Sequence, residues 1–565
     1  MKDRRSFIKA MGVVGLGTAV MPALGFAKAQ DEKQAANAAE AALLAEEGVE
    51  KVSVFQTTDV HCQLHPHDEL FWENDAAVYR KTGGYAYLAA LLNDLRAANP
   101  NNFTVDTGDM FQGSELAVHT SGKAFVPILN QLQYNLFLPG NWEVVYGKKN
   151  MQQLMGALNA PKICSNMYHD LGAGNKGELI FQPYHIWHTA GIKIGFLGYT
   201  DPLVPLRQSP MYSAGIRYTE PSENLAHYVD VLRNQEQCAY VIIIAHLGLS
   251  QQIALANHPA CQGVDYIFGG DTHERVRKPI VCTYAKVVEP GAFGSFIGKL
   301  DLYVKDGKVI RDTYELLEVT ASKITPDAAV ANLVAQVEQP YTADINRIVG
   351  YSTLPLYRYF VVENPIDTLV LQALHAKHPE VDVVLSNGFR FCPPNVTRDH
   401  TGNIPITNGF IYDMLPVDST IRIGKVSGLQ IRNWLEKELN NVFAQEAAHR
   451  FGGWVVKFKG MEVTFEAFAT HGQRVKSIQI GGKPLEEQQT YRILACEREG
   501  DPDDMLCRMK NVREAFNTES TLHDAMLAYL KTHSPVTPTP PKAAVILDAP
   551  DTLLSQVTGV DYTFV

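Results

Sequence analysis

The stretch "YVIIIAHLG", Tyr240–Gly248, decides the fold: a β-branched run closed by a polar residue, His246. Runs of the same kind stand on both sides of it. They are "VSVFQTT" (52–58), "FTVDTG" (103–108), "LFLPG" (136–140), "KIGFLGYT" (193–200) and "VDYIFGG" (264–270). Amphipathic segments such as "GGYAYLAALLNDLRAA" lie between them. Short strands alternating with helices predict a layered α/β domain from about Lys51 to Glu318. In such domains sites gather where the carboxyl ends of the strands open.

Those ends carry donors. Asp59 and His61 follow the first run, Asp109 the second and Asn141 the third; His246 closes the fifth, and Asp271 and His273 follow the sixth. Each residue alone reads equally well as a turn or a capped core side chain. Together, five strand ends supply seven oxygen or imidazole donors, which suits two hard-to-borderline divalent ions sharing a bridging carboxylate.

The rest of the chain narrows the class. With 50 basic against 61 acidic residues in 565, and no basic block, nucleic acid is not the expected partner. The N-terminus pairs Arg4 and Arg5 before a weakly apolar, Gly-rich stretch and "AKA" ending at Ala29. This reads as a twin-arginine export signal over residues 1–29. Its apolar part, about 16 residues, is short of the ~20 a spanning helix needs, so no stable membrane insertion is expected. Export of a folded, metal-loaded protein to the periplasm follows. Residues 30–49 read as a flexible Ala- and Glu-rich leader, mobile and either helical or disordered. The eight cysteines form no C-x-x-C pair, and their connectivity stays open.

The ordered set D-x-H, G-D, G-N, H and G-x-x-H resembles the calcineurin-like metallophosphoesterases. "LSNGFRF" (385–391), "NIPITNGFIYDMLPVDSTIRIGKVSGLQIRNWLEKEL" and "HGQRVKSIQIGGKPLEEQQTYRILAC" extend the likeness to the 5′-nucleotidase family over roughly 50–500. The resemblance implies a four-layer αββα domain at 50–320, a linking helix at 321–350 and a C-terminal α/β domain at 351–535, with 536–565 as a surface tail. It also implies that Asp59, His61, Asp109 and His273 hold one metal, that Asp109 bridges, and that Asn141, His246 and Asp271 complete the second. Asp271 stands where nucleotidases have His; an oxygen ligand there favours manganese over zinc, and a plain Gly-Asp turn is the other reading.

Two departures matter. The family's G-N-H-E and following Asp form a dyad at the scissile phosphate, whereas here Trp142 and Val145 occupy the His and Asp places. The base-stacking aromatic after a Pro is Val417, and the second base-binding run is absent from "CEREGDPDD". A G-x-W-E sequence is similar to the SoxB thiosulfohydrolases, which implies two manganese ions and a carrier-protein Cys S-thiosulfonate as substrate. By that resemblance Trp142, Glu143 and Arg390 are catalytic-site positions, and Asn387, Gly388 and Arg390 form the substrate loop. A packing role for Trp142, a surface ion pair for Arg390, and an organic phosphate as substrate are the competing readings.

Overall fold

The computed structural model describes residues 38–74, 76–386, 392–451 and 455–552. The six runs of the first half fold as β1 (Glu50–Thr57), β2 (Asn102–Asp106), β3 (Leu136–Phe137), β4 (Ile192–Thr200), β5 (Tyr240–His246) and β6 (Tyr266–Phe268). They divide between two sheets. In one, β1, β2 and β3 run parallel, with β1 flanked on its other edge by the antiparallel strands β7 (Phe296–Lys305) and β8 (Lys308–Glu318). In the other, β4, β5 and β6 run parallel within six strands. Parallel neighbours need crossovers, and helices Tyr85–Ala98, Leu225–Asp230 and Leu249–Ala256 lie in three of them.

One apolar core joins the sheets. Phe103 of β2 stacks on Phe196 of β4 with centroids 4.9 Å apart, and Val52, Val54, Ile242 and Ile244 are fully buried. Each such side chain contributes about 1.5–3 kcal/mol by leaving water. Helix Ala328–Glu338 adds Val330 and Val334 to this core.

The second half centres on a sheet with strands in the order Lys457–Lys459, Val383–Ser386, Thr490–Cys496, Thr420–Ser427 and Arg513–Thr521. Side chains alternate across it. Val383, Leu385 and Ile493 enter a core with helix Gly428–Phe443, whereas Val384, Leu494 and Ile423 face helices Pro365–Lys377 and Leu522–His533.

Three features differ from the sequence reading. Residues 38–44 take the helical of the two forms read for the leader, but Glu40 pairs with Lys51 at 2.7 Å, so this part is tied down. Residues Ala544–Ile546 of the expected surface tail form a strand parallel to Met461–Phe465, with Ala544 and Ile546 buried. A hairpin, His67–Glu73 with Ala76–Thr82, extends from the first half. The signal segment 1–29 and the loop residues Asn387, Gly388 and Arg390 lie outside the described residues. No helix among the described residues is long and apolar enough to cross a membrane.

The hairpin carries an ion pair that ties the two halves together. Arg275 donates to Glu69 Oε1 and to the Leu70 carbonyl, both at 2.6 Å, and the Tyr359 hydroxyl donates to the same carboxylate. Burial would raise the Glu69 carboxyl. Arg275, with His67 and Tyr359, instead brings it from 4.5 down to about 2. A carboxyl lowered in the folded state stabilises fully above its unfolded value and loses that contribution as pH falls through the folded value. The network is therefore worth on the order of 3 kcal/mol at neutral pH, lost between about pH 4.5 and 2. Thermal unfolding followed against pH checks this. Glu69→Gln is expected to flatten the acid limb over that window, and an unchanged limb excludes the assignment.

Candidate metal centre

The chain leaves β1, β2 and β6 through tight turns in which the candidate ligands take left-handed backbone angles. φ is 50° at Asp59, 51° at His61, 63° at Asp109, 91° at Asp271 and 60° at His273. Such angles cost about 1–3 kcal/mol each for residues with a Cβ and persist only where the surroundings over-determine them. Two glycines let the turns close. A Cβ on Gly140 would stand 2.3 Å from Asp109 Oδ1, and one on Gly108 would stand 2.5 Å from Gly140 N.

These turns bring Asp59, His61, Asp109, His246 and His273 together, each buried. Asp59 Oδ1 lies 3.4 Å from His273 Nε2, 3.6 Å from His61 Nε2 and 3.8 Å from His246 Nε2. Asp109 Oδ2 lies 3.1 Å from His246 Nε2 and 3.7 Å from His61 Nε2. Both carboxylates thus face both halves of the cluster. Two groups of three could each close on one ion: Asp59, His61 and His273, and Asp59, Asp109 and His246. Asp59 is common to both groups; Asp109, the bridging residue of the sequence reading, belongs to the second and also reaches His61 of the first.

Outer partners fix how these donors point. His61 Nδ1 donates to the Gln112 carbonyl at 3.0 Å and His246 Nδ1 to the Thr107 carbonyl at 2.7 Å, so the Nε2 lone pairs of both rings face the cluster. Asp59 Oδ2 accepts from Thr58 Oγ1 and the Asp271 amide, which turns Oδ1 inward. Asp59 Oδ1, Asn141 Oδ1 and His246 Nε2 are buried and have no hydrogen-bond partner. Acceptors packed lone pair to lone pair around one point are what a cation requires, and the residues fit a divalent metal.

The charges agree. Burial would lower the His246 imidazole, but the Asp109 and Asp59 carboxylates hold it well above its ordinary value. Burial would raise Asp59, but His246, His273 and His61 hold it well below. Burial raises Asp109 to about 6, since the histidines offset it only in part. The cluster draws positive charge, and bound metal would take the place of those protons.

The remaining sequence candidates have other surroundings. Glu143 is fully buried, and its carboxylate is spent on the backbone: Oε1 accepts from the Met110 amide at 2.7 Å, and Oε2 from the amides of Asp109, at 3.0 Å, and Gly140. It builds the turns that carry Asp109 and Asn141. The Trp142 amide donates to Asp109 Oδ1 at 2.8 Å, while its indole and Val145 pack against Tyr146, Tyr212 and Val417. The two departures from the nucleotidase pattern therefore touch each other across the two halves of the chain. Asp271 accepts from Asn141 Nδ2 and from Arg207 Nη1, each at 2.9 Å.

Trp142 and Val417 line a cavity of about 580 Å³ between the halves, together with Arg207, Tyr212, Arg358 and Arg498. Sequence reasoning missed Arg207, Gln112 and Thr107. Arg207 sits in "DPLVPLRQ" with no motif around it, and the other two act on the histidines through backbone carbonyls, which no side-chain pattern reports.

Comparison with known proteins agrees with this architecture. Residues 52–275 match the calcineurin-like phosphoesterase family, and residues 334–496 match the 5′-nucleotidase C-terminal domain family. The trifunctional nucleotide phosphoesterase protein YfkN of Bacillus subtilis (strain 168) is 24% identical over 493 residues. That match covers 79% of this chain, which spans about a third (31%) of YfkN's length. Among solved structures, a sulfate thiohydrolase SoxB of Thermus thermophilus superposes with a TM-score of 0.78 at 21% identity, over 89% of this chain and 98% of that one. A 5′-nucleotidase precursor of the same species gives 0.76 at 20% identity, over 89% and 100%. At this level of identity, the two structural likenesses concern the fold.

Proposed function

We propose that this chain, which belongs to the calcineurin-like metallophosphoesterase superfamily in its two-domain 5′-nucleotidase form and is a metal-dependent hydrolase, acts as a thiosulfohydrolase. Its substrate in this reading is a Cys S-thiosulfonate on a sulfur-carrier protein, and its product is sulfate. One observation carries the reading. Beside a cluster whose ligand atoms fit metal, Trp142, Val145 and Val417 close into one apolar contact where a nucleotidase has its dyad and base platform.

The chemistry explains why a dyad is dispensable. Expelling an alkoxide from a phosphate ester calls for a positioned acid or cation near the scissile oxygen. In R–S–S–SO3⁻ the leaving group is a persulfide, of the thiolate class; thiols have a pKa near ~8.5. Water forms an S–O bond to the sulfonate sulfur as the S–S bond breaks. Sulfate leaves, two protons pass to solvent, and the carrier retains R–S–S⁻. Two divalent ions, one at Asp59, His61, Asp109 and His273 and one at Asp109, Asn141 and His246, would supply Lewis acidity and a nucleophilic water at neutral pH. The chain's own part is to orient both histidines through Gln112 and Thr107, and to screen the site with the Trp142 indole. A set of three oxygen and three imidazole donors takes manganese as well as zinc, and loading before twin-arginine export to the periplasm would protect a weak binder such as manganese from zinc.

The manganese-loaded chain is expected to release sulfate from a peptide bearing Cys S-thiosulfonate and little phosphate from a panel of nucleoside monophosphates. Faster phosphate release would favour a phosphoesterase, the reading supported by the likeness to YfkN. The double variant Trp142→His, Val145→Asp is expected to gain no sulfate release, and a large gain would sink the leaving-group argument.

A further inference from the structure

We infer that Arg207 is a substrate-binding residue, a fixed guanidinium that takes anionic oxygens of the substrate at one side of the metal cluster, and that Asp271 is its anchor and not a metal ligand. The inference rests on the hydrolase reading of the site but not on whether the anion is a sulfonate or a phosphate.

Both oxygens of Asp271 are already used by side chains that are not part of the cluster's carboxylate–histidine core. Oδ2 accepts from Arg207 Nη1 at 2.9 Å, and Oδ1 accepts from Asn141 Nδ2 at 2.9 Å. Asp59, Asn141 and His246 each keep a buried atom without a partner; Asp271 keeps none. It belongs to neither three-residue group around the cluster, and its Oδ1 stands 3.9 Å from His246 Nε2. By accepting from Nδ2, Asp271 also orients the Asn141 amide so that Oδ1 is left for metal.

Arg207 is hydrogen-bonded on one edge and ion-paired, without a hydrogen bond, on the other. Nε lies 3.2 Å from Asp201 Oδ2, Nη1 is bound to Asp271, and the guanidinium carbon stands 5.1 Å from the centre of the Phe451 ring. Nη2 has no hydrogen-bond partner among the described residues, 14% of the side chain is exposed, and the residue lines the cavity beside Trp142. A guanidinium stays charged at any working pH and presents paired donors in a plane, which matches two oxygens of a tetrahedral oxyanion. Fixed by two carboxylates and walled by rings, it meets the substrate with little ordering left to do.

The test uses the full chain loaded with manganese, with sulfate and phosphate as calorimetric probes and elemental analysis for metal. Arg207→Met is expected to weaken oxyanion binding roughly 10- to 100-fold, the range for a charged hydrogen bond, with metal content unchanged. Arg207→Lys should recover part of the loss. Asp271→Asn is expected to weaken the same probes and to keep both metal equivalents. Loss of one equivalent in Asp271→Asn, or wild-type oxyanion affinity in both Arg207 variants, overturns the assignment. If the loaded wild type binds neither oxyanion, the hydrolase reading falls and the role of Arg207 falls with it.

Discussion

Asp109→Asn is expected to abolish hydrolysis, lowering kcat/KM by at least ~10³-fold, and to lose bound metal at the same time. The reason is position. Asp109 Oδ2 stands between His246 Nε2, at 3.1 Å, and His61 Nε2, at 3.7 Å, so it faces both halves of the cluster. An asparagine that keeps the Oδ1 bond from the Trp142 amide places an NH2 group where the Oδ2 anion stood, and the flipped amide puts a neutral oxygen there and loses that bond. Two divalent ions held by this cluster would then lose one shared negative charge, and stabilisation of this kind is worth several kcal/mol in the transition state. Asn141→Ala is expected to empty one position and spare the other. Elemental analysis beside steady-state kinetics separates the cases, and two full metal equivalents in purified Asp109→Asn would rule out the shared role.

Glu143→Ala is expected to cost stability on a scale unusual for one residue, about 3–6 kcal/mol. Its carboxylate accepts from three buried backbone amides, at Asp109, Met110 and Gly140. Burial raises its pKa, and the three amides pull it back. Each amide left without a partner costs roughly 1–3 kcal/mol. The same turns carry Asp109 and Asn141, so metal affinity should fall as well. Glu143→Gln keeps one acceptor oxygen and should fall between the two. Denaturant unfolding with metal analysis reads both effects, and a wild-type midpoint in Glu143→Ala would exclude the scaffolding role.

Five of the seven candidate ligands, Asp59, His61, Asp109, His246 and His273, meet in one cluster, with the Asn141 amide beside them. They were legible because each follows a strand, and strand order in a parallel sheet puts such ends on one side. What escaped was set by tertiary contact. Nothing in "DPLVPLRQ" says that Arg207 meets Asp271, 64 residues on. Glu143 looks like site chemistry because it adjoins Asn141, yet its oxygens turn back to the main chain. The strand Ala544–Ile546 was hidden behind "SPVTPTPP", whose prolines read as the end of regular structure. The hairpin at 67–82 lacks the Asn-Gly type of signal that marks two-residue turns.

The contact between Trp142, Val145 and Val417 also bears on how such a chain can evolve. Histidine at 142 alone would set a polar ring against Val417. Aspartate at 145 alone would bury a carboxylate beside Tyr146 and Tyr212. An aromatic ring at 417 alone would have to share the cavity with the indole that already packs there. Each single step is penalised by residues that have not yet changed, two of them in one domain and the third in the other. The positions are expected to be epistatically coupled across the domain boundary, so that the effect of changing one depends on the residues at the other two.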